Sequence, residues 1–405
     1  MKTSTLRTLP STLLMVGFAA VFLSYADQPL YNWGIVTQSP ADLFLGVMLL
    51  LTSGTLVGSL VSAPVRSRVI ALYLAHPAVL IGLAGIACAS FLSAFAPRAN
   101  WGEGSEYVLF PAYDVIVVLF SMLLAFPKHR QRQFRVYFVI AFVLLMASLL
   151  IDATRPGTFS ITSDRAAGFA RNPNLGAFAL VTLCCLIIAY DRVRLRDLVA
   201  IVATAVGVLA TFSRTGAILL TLLLLCYTGL IASHARQPGR VIVRFAVVAL
   251  TIAVVAQSAV VLVRRAELFS LSTSRLAMLT GRRTLLPERD PRRAALDVAL
   301  RLARETPVFG LGSGFTATLP QGPHNIYLQQ WINNGVPGLV AYLWLVGSAV
   351  VVFWQRRYHT GLVFMGLVLV YGLFSHNVLE DRAFLVPLGV LLTLSYARRG
   401  GPCAV

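Results

Sequence analysis

The chain has 405 residues, of which 57% are hydrophobic and only 12% are charged. A soluble domain is typically about 45–50% apolar and about 25% charged, so this composition excludes a soluble globular enzyme, a disordered chain and a secreted disulfide scaffold. The net charge is +18, and only Lys2 and Lys128 of the 34 basic residues are lysines, which leaves arginine, the forked binder of phosphate, as the dominant cation.

Twelve apolar runs without interior charge predict membrane helices, because backbone polar groups in hydrocarbon must be satisfied within their own segment. The first run follows Lys2 and Arg7 and ends in a poor cleavage site, so we interpret it as an uncleaved helix. We therefore expect an all-α polytopic membrane protein of about twelve transmembrane helices. The runs lie near 9–26, 43–63, 69–95, 107–127, 136–152, 175–190, 198–213, 216–233, 245–263, 337–355, 360–375 and 383–397.

The short loops differ in charge, and this difference predicts their orientation. Arginine is concentrated in alternate loops, such as those at 128–135 and 192–196, which the positive-inside rule places in the cytoplasm together with both termini. The positive charge thus follows topology, and no nucleic acid partner is expected. The pattern divides the chain into helices over 1–263, a long outer loop over 264–336 and helices over 337–405. Such long loops are uncommon unless they are functional or disordered, and we expect this one to fold and to contain short helices.

A helix is predicted over 291–305, because Asp290 can cap it, Pro291 suits its first turn and Thr306-Pro307 ends it. Arg292 lies in the middle of its apolar stripe, where an arginine needs an anion or a wet cavity, although it could also extend from the helix start into solvent. The stripe consists of Ala295, Leu296, Ala299 and Ala303, and the opposite, solvated face carries Arg293, Asp297, Arg301 and Arg304.

The glycine-rich segment 310–315 follows, and its pattern fits either a flexible turn or a backbone nest for phosphate. Pro323 then predicts a short helix that ends at Asn334-Gly335, with His324 in its first turn. There the helix dipole disfavours the imidazolium form, so His324 could accept a proton, although a lone histidine is more often structural. Helical spacing also predicts one shared face for His324, Tyr327, Leu328 and Trp331.

Other outer segments add arginines but no metal motif. Arg214 lies in a tight turn between two spans, where it could bind an anion or anchor the helix at the interface. Arg165 precedes the turn at 172–174. Asp114 and the pair Glu380/Asp381 are weak acidic candidates, and His376 lies in the last short outer loop. Neither a metal site nor a disulfide is expected from the cysteines, which are Cys88, Cys184, Cys185, Cys226 and Cys403.

Taken in order, these motifs resemble the O-antigen ligase family of bacterial inner-membrane glycosyltransferases, whose superfamily includes O-antigen polymerases and some protein O-oligosaccharyltransferases. The family often has a tryptophan about where this chain has Leu296. The matching motifs are Arg165-x-x-Gly168, Ser213-Arg214, Arg292 at the start of a helix that runs to Pro307, Gly310-x-Gly312-x-Gly314-Phe315, and His324-Asn325-x-Tyr327 before Gly335.

The resemblance implies a metal-independent, inverting glycosyltransferase without a cofactor. It would move a glycan from undecaprenyl pyrophosphate to a sugar hydroxyl of lipid A–core on the periplasmic face, in contact with membrane lipids. His324 would be the base, Arg292 and Arg214 would bind pyrophosphate, and Arg165 would assist them. Supporting roles would fall to Asn325, Tyr327, Gly312 and Gly314.

Two alternatives remain open. A polymerase or a protein O-oligosaccharyltransferase would use the same donor with a different acceptor. A transporter of lipid-linked sugars would instead place arginines inside the spans and would not need His324.

Overall fold

A computed structural model describes residues 12–96, 98, 105–162, 165–233, 291–305 and 308–398, and every regular element in these ranges is a helix. The predicted span 245–263, loop residues 264–290, and the predicted signals at Asp290 and Thr306-Pro307 lie outside the described residues. The helices are α1 (Thr12–Leu23), α2 (Asp27–Asn32), α3 (Pro40–Val61), α4 (Ala63–Leu74), α5 (Pro77–Ser93), α6 (Ser105–Leu124), α7 (Lys128–Thr154), α8 (Pro173–Ile187), α9 (Leu195–Ala210), α10 (Arg214–Ser233), α11 (Pro291–Glu305), α12 (Ile326–Gln355), α13 (His359–Gly372) and α14 (Arg382–Ala397).

Every predicted span within the described residues falls on a helix, but the helices differ in their ability to cross a bilayer. Four of them, α3, α7, α10 and α12, are long and apolar enough by length and composition. The pair α4 and α5 adds a fifth if it counts as one bent span. Because a span needs about 20 residues, the shorter apolar helices, such as α8 and α13, leave the expected number of twelve unconfirmed.

The predicted run 69–95 is not one straight helix. It is broken between α4 and α5, which are bent by 74°. Pro77 explains the break, because it lacks an amide hydrogen and disfavours helical geometry in the residue before it. The Arg356 side chain is bound at the same bend, where its Nη2 donates to the Ala75 carbonyl at 3.1 Å and its Nη1 lies 3.2 Å from His76 Nε2.

The chain divides into two compact units. Unit 1 contains Met1–Val47 and Gln133–Thr284, and unit 2 contains Met48–Arg132 and Leu285–Val405. In unit 1, α8 is buried along nearly its whole length and packs against α9 and α10. The N-termini of α8 and α10 therefore lie at the same end of this unit as the C-termini of α7 and α9.

Unit 2 is organised around α12, which packs most extensively against α5. A Cβ atom at Gly82 would lie 2.7 Å from the Leu345 Cα, so only glycine permits this close approach. The helices α6 and α14 form a second close pair, joined by a hydrogen bond from Thr393 Oγ1 to the Met122 carbonyl at 3.0 Å. The C-termini of α5 and α13 and the N-termini of α12 and α14 thus meet at one end of the unit.

Candidate functional site

In unit 1, Asp152 organises the loop that precedes α8. Its Oδ1 accepts hydrogen bonds from the amides of Phe159 and Ser160 at 3.1 and 3.4 Å, and its Oδ2 accepts from those of Ala167 and Gly168 at 2.8 and 3.2 Å. The carboxylate is 1% exposed. With four amide hydrogen bonds, this buried side chain holds both ends of the loop at the end of α7.

Arg165 emerges from that loop into a small hydrogen-bonded cluster. Its Nε donates to the Thr211 carbonyl at 2.9 Å, and its Nη2 donates to Asn174 Oδ1 at 3.1 Å. Ser213 Oγ donates to the same Asn174 oxygen at 2.8 Å and accepts from the Gly216 amide at 3.0 Å. Turn residues at the starts of α8 and α10 thereby fix the Arg165 guanidinium.

Arg214 is the first residue of α10, directly after Ser213. Within the part of the chain that the structure describes, this exposed side chain has no hydrogen bond and no ion pair. A cation at a helix N-terminus is unfavourable, because it adds to the positive end of the helix dipole. Such a position favours an anionic ligand. We call Arg165, Asn174, Thr211, Ser213 and Arg214 the arginine cluster.

In unit 2, the predicted helix 291–305 is confirmed with the same bounds as α11. Ala299 and Ala303 are buried against Leu328 and Ile332 of α12, and the predicted solvated face is exposed at Asp297, Arg301 and Arg304. Leu296 does not belong to the buried stripe, because 39% of it is exposed. Arg292 is the second residue of α11, one turn before Ala295, and its side chain lies outside the described part.

The segment 310–315 forms a tight loop on the first part of α12. Gly310, Gly312 and Gly314 all have positive φ, and a Cβ atom at Gly310 would lie 2.5 Å from the Asn333 carbonyl oxygen. The amides of Leu311 and Gly312 donate to the carbonyls of Ile332 and Asn333 at 2.6 and 3.1 Å. These two amides thus bind protein carbonyls, as in a structural turn, and are not available to form a nest for phosphate.

The structure corrects the predicted start of the helix at Pro323. Helix α12 begins at Ile326, because the Asn325 side chain caps it by accepting a hydrogen bond from the Leu328 amide at 3.1 Å. His324 therefore lies before the helix, in a left-handed conformation with φ of +47°, and its side chain is exposed. The predicted helical face shared by His324 with Tyr327, Leu328 and Trp331 is therefore wrong, because His324 is not part of the helix. The predicted end at Asn334-Gly335 is confirmed as a break in α12, where Gly335 has non-helical angles.

Tyr327 and Asn325 have structural partners. The Tyr327 hydroxyl donates to the Leu369 carbonyl at 2.9 Å, which ties the first part of α12 to α13. Asn325 is occupied in capping, as described above. Both residues hold the helix that follows His324, and the supporting role expected for them in catalysis stays a prediction.

A second histidine, His376, stands beside His324, with ring centroids 5.3 Å apart and planes at 60°. Burial and the neighbouring His324 lower the pKa of His376 to about 4, so its imidazole is neutral at physiological pH. Glu380 lies in the same loop before α14. Burial and the adjacent Asp381 raise its pKa to about 7.

His376 and Glu380 line a pocket of about 430 Å³, its open mouth included, at the end of unit 2. Its walls come from α5, α6, the glycine loop, α12 and the loop before α14. A rigid hydrogen-bonded network lies behind one wall, where Ser93 Oγ donates to Asn334 Oδ1 at 2.6 Å and Asn334 Nδ2 donates to Gln330 Oε1 at 2.8 Å. We call this space the polar pocket. Its polar lining residues are Ser90, Asp114, Ser313, Gln329, Gln330, Asn333, Asn334, His376 and Glu380.

The structure thus assembles some predicted residues and adds others. Arg165 and Arg214 flank the same turn of unit 1, and His324 lies beside the polar pocket of unit 2. Sequence analysis named Asp114, His376 and Glu380 without connecting them. It missed the carboxamides of α12, although four polar residues at 329, 330, 333 and 334 in a helix that enters the membrane were a usable signal.

Fold and site together define a membrane protein whose polar chemistry is concentrated at the ends of its helices. The family model described as O-antigen ligase matches residues 199–343, which is less than half of the chain. The match supports the family that the motifs predict, and it includes Arg214, Arg292 and His324 but not Arg165. It suggests a glycosyltransferase-type enzyme of the O-antigen ligase and polymerase group. Among curated proteins, none matches the chain.

Proposed function

We propose that the protein is an O-antigen ligase that transfers a glycan from undecaprenyl pyrophosphate to a sugar hydroxyl of lipid A–core, on the periplasmic face of the bacterial inner membrane. The observation that carries the proposal is Arg214, an exposed arginine without a described partner at a helix N-terminus, inside the family match. Both the side chain and the helix end attract an anion such as pyrophosphate.

The reaction needs a general base and cations that stabilise the leaving group. His324 takes the proton of the acceptor hydroxyl, whose oxygen attacks the anomeric carbon of the donor. The bond between that carbon and the pyrophosphate oxygen breaks, and undecaprenyl pyrophosphate leaves with the bonding electrons. Arg214 and Arg292 stabilise the negative charge on the leaving group, and Arg165 contributes positive potential from its fixed position. Attack from the face opposite the leaving group inverts the anomeric configuration.

Arginine is suited to this role without a metal ion. Its guanidinium carries a permanent charge and five donors in a planar fork that matches phosphate oxygens. We therefore propose metal-independent transfer. In this proposal the activity of the purified enzyme survives treatment with a chelator, and a loss that magnesium restores would contradict it.

The decisive experiment is transfer by the purified protein in lipid nanodiscs. The donor is undecaprenyl-pyrophosphate glycan, and the acceptor is offered as lipid A–core, as a second donor molecule or as a serine-containing peptide. Transfer to lipid A–core is the expected result. Transfer only to the second donor would make the protein a polymerase, transfer only to the peptide would make it a protein O-oligosaccharyltransferase, and no transfer to any acceptor would overturn the proposal.

A further inference from the structure

Three buried polar atoms in the wall of the polar pocket have no hydrogen-bond partner among the residues that the structure describes. They are Asp114 Oδ1, Gln329 Oε1 and His376 Nδ1. Asp114 is 3% exposed and Gln329 is 7% exposed. A buried polar atom without a partner is costly, and native proteins rarely leave one, so three of them around one space indicate groups made for a ligand.

The chemistry of the wall selects among ligands. Asp114 and Glu380 contribute carboxyl groups, and Gln329 and Asn333 contribute carboxamides, whereas the described lining contains no arginine or lysine. Phosphate and pyrophosphate bind most strongly to arginine and lysine, so a lining without these side chains disfavours such anions. Carboxyl oxygens and the free Gln329 oxygen instead accept hydrogen bonds from hydroxyl groups, and amide hydrogens can donate to them.

The apolar part of the lining fits the same class of ligand. Phe110, Ile86 and Leu379 give the polar lining an apolar complement, which suits the carbon face of a sugar ring. His376, which is part of the lining, brings the pocket close to His324, because the two rings lie 5.3 Å apart between centroids.

From these observations we propose that the polar pocket binds one uncharged sugar residue of a substrate and holds it beside His324. The proposal rests on the proposed transferase function in one respect only, which is that the sugar belongs to the donor glycan or to the acceptor. The arginines would bind the anionic part of the donor, and the polar pocket would bind hydroxyl groups.

Binding of free sugars tests the pocket without any transfer assay. Saturation-transfer NMR on the protein in nanodiscs is measured with methyl glycosides of glucose, galactose and N-acetylglucosamine. We expect at least one glycoside to bind the wild type, and Gln329→Leu and Asp114→Leu each to weaken its binding about tenfold, as the loss of a buried hydrogen bond predicts. The matched controls are Gln355→Leu, at the exposed end of the same helix, and the exposed Asp42→Leu.

Two results would overturn the proposal. One is equal binding by all four variants, with thermal unfolding showing that each is folded. The other is displacement of the glycoside by inorganic pyrophosphate, which would make the pocket an anion site.

Transfer kinetics then assign the sugar to a substrate. A raised KM for lipid A–core in Gln329→Leu, with the donor KM unchanged, assigns the acceptor sugar, and the reverse assigns the donor sugar. Unchanged values for both substrates would contradict a role in transfer. If the wild type binds a glycoside but transfers nothing, the proposed function fails while the sugar site stands.

Discussion

The arginine cluster of unit 1 and the polar pocket of unit 2 are built in opposite ways. The arginine cluster is cationic and comes from the loop that carries Arg165 and from two short turns, each at the start of a helix, around 172–174 and 211–214. The polar pocket has carboxyl groups but no arginine or lysine in its described lining, and it comes from five separate segments. This difference underlies the division of labour that we propose, in which one region binds an anion and the other binds hydroxyl groups beside the general base.

The strongest test of this division is the removal of His324. We expect His324→Ala to reduce glycan transfer by about 10²–10⁴-fold, because general base catalysis contributes that much. Binding of the donor should persist, since the arginines remain. Transfer is followed with purified enzyme in nanodiscs.

Two variants make this test specific. His324→Asn keeps a residue that tolerates a positive φ, so its inactivity would not reflect backbone strain. His129→Ala removes an exposed histidine at the start of α7 and should be fully active. Transfer at the wild-type rate by either His324 variant would refute the proposal that His324 is the general base.

A second test concerns the cationic region and Arg292. Arg214→Lys and Arg292→Lys should each reduce kcat/KM for the donor about tenfold, because a point charge does not replace a planar fork. Arg301→Lys on the exposed face of α11 serves as the control. Unchanged kinetics in Arg214→Lys would show that Arg214 only anchors its helix at the membrane interface. Unchanged kinetics in Arg292→Lys would show the same of Arg292.

A third test asks whether the arginine cluster depends on the loop that carries Arg165. Asp152→Asn replaces an acceptor of four amide hydrogens by a group with one oxygen and two donors of its own. We expect this change to cost about 1–3 kcal/mol and to lower the melting temperature. Asp297→Asn, on the exposed face of α11, should leave the temperature unchanged. A stable Asp152→Asn protein would show that the loop is held by other contacts.

The smallest expected effect is a pH dependence that comes from Glu380. The pKa of Glu380 is raised from 4.5 to about 7, so the folded state favours the protonated carboxyl over the unfolded state. This preference stabilises the folded protein at low pH, and the stabilisation is lost as the pH rises from about 4.5 through 7. Glu380→Gln should therefore gain stability relative to the wild type over that interval. Below it, the difference between the two proteins should be constant.

The measurement is thermal unfolding between pH 4 and pH 8, with the exposed Glu305→Gln as the control. His376 acts in the opposite direction, because its lowered pKa removes stability as the pH falls from about 6.5 through 4. Both proteins contain His376, so its effect cancels in the comparison. A difference that does not change with pH would place Glu380 in an ordinary solvated setting.

Much of unit 2 could be predicted where local signals agree. Pro291 and the apolar spacing after it give α11 its correct bounds, and Asn334-Gly335 marks the break in α12. The start of α12 was wrong because two signals compete there. Proline fits the first turn of a helix, but the Asn325 side chain caps the Leu328 amide, and the helix begins three residues after Pro323.

The sequence by itself determined that this is a helical membrane protein, which segments are helices, and which family its motifs indicate, because hydropathy, capping and turn chemistry act over neighbouring residues. Only the tertiary structure placed Asp114, Gln329 and His376 around one space, and only it showed Asp152 holding the loop of Arg165. These contacts join residues far apart in the chain, and the packing of helices decides which of them meet.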